Sequence, residues 1–204
     1  MKEIVEKCEY GIDLHTGSAH RFNLPQIRAY LDNPEIENSG AMLSDSGSID
    51  LTAKTEINHT KGIIKSKEGI TINAETEGIT VKSNIISTNS NLNLTSHDDI
   101  SSTGTIQAKG DINITTTSGS FHNDSGNVLT NDGTLNIRAT SVKNDSTSIQ
   151  NGYLQGDKLN VTATSRNIEN SGVMYSKTGG AISAKNSVIT VSYTHLTLPT
   201  NREV

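Results

Sequence analysis

Ile112-Asn113-Ile114-Thr115-Thr116 and Leu135-Asn136-Ile137-Arg138-Ala139 read apolar–x–apolar–x–small, and the unit recurs along the chain. Upstream copies are Ile49-Asp50-Leu51-Thr52-Ala53, Ile70-Thr71-Ile72-Asn73-Ala74 and Leu92-Asn93-Leu94-Thr95-Ser96. Downstream come Leu159-Asn160-Val161-Thr162-Ala163 and a shortened seventh copy, Ala181-Ile182-Ser183-Ala184. The full copies start at 49, 70, 92, 112, 135 and 159, so they lie 20 to 24 residues apart. Period-two alternation rich in β-branched residues means strand, and strands recurring at a fixed period of this length mean a solenoid.

Two further apolar positions travel with each unit. One follows it by about eight residues, at Ile57, Ile79, Ile100, Phe121, Val142 and Ile168. The other follows by about fifteen, at Ile64, Ile86, Ile106, Val128, Ile149 and Met174. Glycines lie between them, at 40, 62, 104, 126 and 172 and again at 47, 69, 110, 133 and 156, where corners with φ > 0 are expected. The expected fold is therefore all-β: a parallel β-helix of about seven coils, three strands to a coil. Stacked about 4.8 Å apart, the coils make a rod roughly 30 to 35 Å long. One coil alone buries too few side chains to offset its ordering entropy, so stability must come from its neighbours.

Composition agrees with a thin, repetitive core. Of 204 residues, 32% are hydrophobic and 3% aromatic, with no Trp. A net charge of −5 argues against nucleic acid, which needs clustered Lys and Arg. The single cysteine, Cys8, forms no internal disulfide and suits a secreted bacterial protein. No apolar run is long enough for a transmembrane helix, and Met1–Tyr10 lacks the apolar stretch of a signal peptide. Any export signal is expected outside this chain.

Ile36-Glu37-Asn38-Ser39-Gly40-Ala41-Met42 and Ile168-Glu169-Asn170-Ser171-Gly172-Val173-Met174 share six of seven residues, and Gly133-Thr134-Leu135-Asn136-Ile137-Arg138-Ala139 belongs to the same pattern. On these motifs, residues 36–190 resemble the haemagglutinin repeats of filamentous-haemagglutinin-like exoproteins. The resemblance implies that the expected solenoid is a right-handed parallel β-helix, with two-partner secretion through an outer-membrane transporter and a place on the bacterial cell surface or in the medium. It also implies use as an adhesin, or as the stalk of a contact-dependent growth-inhibition toxin that meets host or neighbouring cells through other parts of the parent protein. Asn89-Ser90-Asn91 departs from the pattern where a glycine is expected.

Both ends break the repeat. Residues 1–35 carry Pro25 and Pro34 and are expected to flank or cap the solenoid, with a short helix around Leu24 to Leu31. Residues 191–204 contain Ser192-Tyr193-Thr194-His195-Leu196-Thr197-Leu198-Pro199-Thr200, which resembles the translation of a transposon-end sequencing adapter. They are read as a non-native tail on a truncated reading frame.

Little of the sequence promises chemistry, and no catalytic residue or cofactor is expected. His59 and His122 share a spacing of ten residues from their repeat starts but lie three coils apart, and His97 is out of phase, so all three are expected to face solvent on turns. Asp124 and Asp145 follow Phe121 and Val142 and should stack on adjacent coils about 5 Å apart, which makes them the candidate cation site. The competing reading is that Asn-Asp-Ser simply makes turns, with Asn123, Asn144 and Asn170 stacked as a ladder. The expected function is a structural shaft that is not an enzyme. The alternative is a polysaccharide lyase-like enzyme, which would need an Asp, Arg or Lys groove and aromatic platforms.

Overall fold

The computed structural model describes residues 34–147 and 152–191, together with the backbone of two strands at 13–15 and 26–30. It is a β-solenoid of parallel strands, about seven turns long, with no helix among the described residues.

The repeat unit forms the first face. Its strands are Ile49–Ala53, Ile70–Ala74, Leu92–Ser96, Ile112–Thr116 and Thr134–Ala139, continued by the later halves of Tyr153–Ala163 and Val173–Ala184. They pair in register, so Ile49, Ile70, Leu92, Ile112, Leu135 and Leu159 form one column, and Leu51, Ile72, Leu94, Ile114, Ile137 and Val161 a second. Every member of both columns is buried. The second face runs through Ile36–Asn38, Ile57–His59, Ile79–Val81, Ile100–Ser102, Phe121–Asp124, Val142–Asp145, Ile168–Asn170 and Val188–Thr190. The third runs through Ala41–Ser44, Ile63–Ser66, Asn84–Ser87, Thr105–Ala108 and Asn127–Thr130 into the two long strands. In those last coils the third corner straightens, so the first and third faces merge into one sheet.

Three details of the inward columns differ from the sequence expectation. On the third face Ile85, not Ile86, joins Ile64, Ile106 and Val128 in the core. The strand ending at Val81 is followed by only Lys82 and Ser83 before the next begins, so the inward phase arrives a residue early. Ile149 lies outside the described residues, and Leu154 stacks on Val128 in the place assigned to it. The seventh repeat begins at Gly180, opposite Leu159, which puts Ile182 beside Val161. Gly180 has φ +152, and a Cβ there would come within 1.9 Å of the Leu159 carbonyl oxygen, so the column must omit a side chain.

The corner glycines serve mainly by lacking a side chain. Among the described residues positive φ occurs only at Gly62, Gly179, Gly180 and Ser125. At most of the others a neighbouring coil approaches too closely, Gly40 and Gly69 excepted: a Cβ on Gly104 would meet the Ser83 carbonyl oxygen at 2.3 Å, and one on Gly172 would meet the Gly152 carbonyl oxygen at 2.3 Å.

Residues 26–30, expected in a helix, form a strand parallel to Ile49–Ala53, with Ile27 opposite Ile49 and Ala29 opposite Leu51. The alternation of Ile27 and Ala29 matches the sheet edge, and edge pairing outweighs local propensity here. Strand Asp13–His15 pairs antiparallel outside it. Apart from Val191, the adapter-like tail lies outside the described residues.

Polar groups enter the interior at the second corner. Asn38, His59, Val81, Ser102, Asn123, Asn144 and Asn170 form one column next to the Ile and Phe121 column. The expected ladder is present: Asn123 Nδ2 donates to Asn144 Oδ1 at 2.7 Å, and Asn144 Nδ2 to Asn170 Oδ1 at 2.7 Å. Each amide also caps its own corner, donating to the carbonyl of Gly126, Gly152 or Gly172. The ladder stops below Asn123. There Asn123 Oδ1 and the Ser102 hydroxyl are buried without a hydrogen-bond partner.

Ser102-Thr103-Gly104 has the spacing of Asn38-Ser39-Gly40 and Asn170-Ser171-Gly172. Ser102→Asn should therefore donate to Asn123 Oδ1 and to the Gly104 carbonyl. The expected outcome is a gain of about 1 kcal/mol in stability by denaturant melting. A loss of stability would mean that this corner cannot seat the amide.

Candidate functional site

The expected candidate pair lies where the repeat places it. Phe121–Asp124 and Val142–Asp145 are adjacent parallel strands, and Asp124 is in register with Asp145. The surroundings differ from a carboxylate pair awaiting a cation. His122, Lys143 and Asp145 share the outward phase, since residues two apart on a strand point to the same side. Lys143 Nζ lies 2.7 Å and His122 Nε2 3.0 Å from Asp145 Oδ2, and Ser171 Oγ donates to Asp145 Oδ1 at 3.4 Å. Partial burial pushes the Asp145 carboxyl upward. The hydrogen bonds from Lys143 and His122, with their charges, outweigh this and hold it below the usual carboxylate value. The partners were legible in principle: alternation alone puts Lys143 and Asp145 on one side. Among the described residues no three His, Cys, Asp or Glu side chains converge as a metal site would require.

The histidines separate into unlike environments. His59, expected on a solvent-facing turn, is 1% exposed and points inward above Asn38. His122 is one column away, opposite Ser101. Phe121 starts its strand nine residues after Ile112, whereas Ile57 starts eight after Ile49, so equal spacing from the repeat start does not mean equal phase.

His97 has the connectivity of a nucleophilic triad. Its Nδ1 lies 2.8 Å from Asp98 Oδ1, and its Nε2 lies 3.4 Å from Ser118 Oγ on the next coil. The rest of such a site is missing at this corner. The Ser118 and Gly119 N–H groups both bond the His97 carbonyl, and the Ser120 N–H bonds Asp99 Oδ1, so none is free to stabilise an oxyanion. His97 and Asp98 are about half exposed, so water reaches the pair.

The outer surface of the first face carries a second amide ladder. Asn113 Nδ2 donates to Asn93 Oδ1, Asn136 to Asn113 and Asn160 to Asn136, each at 2.9 Å. Asn160 Oδ1 then accepts the Ala181 N–H at 3.1 Å. These amides spend much of their hydrogen-bonding capacity on one another. On the third face a shallow, open depression is lined by Leu43, Asp45, Lys65, Lys67, Thr88 and Asn89, without an aromatic platform.

Three outcomes follow. Adding Ca²⁺ should leave the melting temperature unchanged. Asp145→Asn should instead flatten the acid limb of a stability–pH curve, because a lowered carboxyl contributes above its ordinary range and loses that contribution as pH falls through its folded value. Ser118→Ala should leave hydrolysis of an activated ester at the wild-type rate. A tenfold loss would establish Ser118 as a nucleophile.

No family model matches the chain, and no curated protein or solved structure matches it significantly.

Proposed function

We propose that this chain is a length of structural shaft from a large secreted or cell-surface bacterial adhesin-type protein, a spacer that projects distal binding or toxin domains. One observation carries the reading: the same inward columns repeat through successive coils, while the outer side of the first face carries a self-bonded asparagine ladder. Such a body resists bending through its continuous strand ladders and can be lengthened by adding coils. Binding surfaces draw on Trp, Tyr and Arg anchors seated in pockets. Here Tyr175 is an exposed aromatic of the last coil, and Arg138 interrupts a row of outward Thr side chains on the first face.

The haemagglutinin-repeat pattern supplies the rest of the proposal. The parent protein would cross the outer membrane through a two-partner-secretion transporter and meet its target cell through other regions. No described helix is long and apolar enough to span a membrane.

The test is to place the chain, with its coils present once or duplicated, between a surface anchor and a domain of known ligand. Ligand capture should persist in both forms, and the reach of the displayed domain should grow with coil number. The chain alone on beads should bind epithelial cells no better than a carrier protein. Strong binding by the bare chain would replace the spacer reading with a receptor-binding one. Release of unsaturated uronates from a polysaccharide would replace it with a lyase.

A further inference from the structure

His59 occupies a position that asparagine fills in four other coils, and it joins three successive coils through its two ring nitrogens. Below it, Asn38 Nδ2 lies 3.0 Å from His59 Nδ1. Above it, the Asn84 carbonyl oxygen lies 3.1 Å from Nε2. The orientation of the Asn38 amide is set by its own corner: Oδ1 accepts the Gly40 N–H at 3.1 Å, and Nδ2 donates to the Gly40 carbonyl at 3.2 Å. Nδ1 of His59 therefore faces a donor and must accept, while Nε2 faces a carbonyl and must donate. Only the neutral ring with its proton on Nε2 satisfies both.

A second proton has no place. On Nδ1 it would point at the Asn38 N–H. Flipping the Asn38 amide would relieve that contact but set Nδ2 against the Gly40 N–H and Oδ1 against the Gly40 carbonyl. Either arrangement sets donor against donor beside a ring that is 1% exposed. Glu37 on the strand below, Lys61 on the following corner and Lys82 above are all exposed. Val81, next in the column, is apolar.

We propose that His59 makes the joint between the first coils of the stack acid-sensitive: the neutral imidazole bolts Asn38 to Asn84, and its protonation unbolts the coil that contains Ile36–Asn38 and Ala41–Ser44. Burial holds the ring below the ordinary imidazole value, outweighing the backbone groups of Asn84 and Asn38, which pull it upward. The folded chain thus binds fewer protons at this site than the unfolded one. The contribution of His59 is complete above the ordinary imidazole range and falls away as pH drops through it. The inter-coil bonds most exposed to the loss are those from the Thr60 N–H to the Asn38 carbonyl and from the Ile63 N–H to the Gly40 carbonyl.

Nitrogen-15 NMR of the imidazole should show the Nε2–H tautomer near pH 7.5. On acidification the ring should titrate below the ordinary value, with parallel loss of hydrogen-exchange protection at Thr60 and Ile63. Between about pH 7.5 and pH 5 the melting temperature should fall by several degrees in the wild type and by clearly less in His59→Asn, which keeps an amide in the column. An Nδ1–H tautomer, or a ring titrating at or above the ordinary value with protection at Thr60 and Ile63 intact, would overturn the proposal. So would an equal fall in His59→Asn. Should that variant not fold, the tautomer and exchange readouts on the wild type decide.

Discussion

Strand-edge hydrogen bonding from one coil to the next is the constraint on which everything else depends. Within a coil the three strands lie on different faces, so the backbone N–H and C=O groups of each look to the coil above and below. A residue therefore has its counterpart one coil away as its nearest neighbour, and an inward side chain meets whatever occupies the same column. Ile and Leu in the two first-face columns are the direct consequence, because a column accepts only residues that pack on copies of themselves. The close approach explains many of the glycines as well: at Gly104, Gly133, Gly152 and Gly172 there is no room for a Cβ beside the backbone of a neighbouring corner.

The same stacking decides how polarity can enter the interior. A buried amide is tolerable when every donor and acceptor is matched, and a column of asparagines achieves this by passing a bond from each coil to the next. Such a ladder also fixes register, since a slip by one residue would turn the amides outward and apolar groups with them. The third corner uses hydroxyls for a related purpose: Ser44 Oγ accepts the Gly47 N–H, and Thr130 Oγ1 accepts the Gly133 N–H. Charge stays outside, where Asp145 is held between His122 and Lys143.

The sequence made the fold class legible because a column imposes its period on the chain. The six full repeat units align in register without exception. Legibility failed where corners vary in length: both Ile85 and Ile86 are apolar, and only the length of the preceding corner says which turns inward. The same uncertainty hid His59. Counting from Ile49 equated it with His122, whereas counting from Ile57 puts it over Asn38, two residues into its strand. The Asp124–Asp145 register was readable because both follow an apolar anchor directly. Its chemistry was legible only in part: alternation puts Lys143 on the side of Asp145, whereas His122 joins them through the register of the adjacent coil. The strand at 26–30 was missed for another reason: its conformation is set by the edge of Ile49–Ala53, a partner about twenty residues away, rather than by its own composition.

A stack of this kind has no internal reason to stop. Each coil leaves on its open side a row of strand edges and an apolar column in search of a neighbour, so stability and exposure are two sides of one geometry. On one side of the first face, strand Gln26–Tyr30 takes the place of a further coil and Asp13–His15 turns antiparallel beyond it. On the other side, the residues that continue the inward columns, Ile182 and Val188, are about half exposed because none of the described residues stacks over them. Ile57 and Ile72 hold equivalent phases in the middle of the stack and are 1% exposed. Burial here is therefore a property of position in the stack. An apolar residue at the edge of the described stack is the outermost member of an inward column, and its exposure follows from the stacking geometry alone.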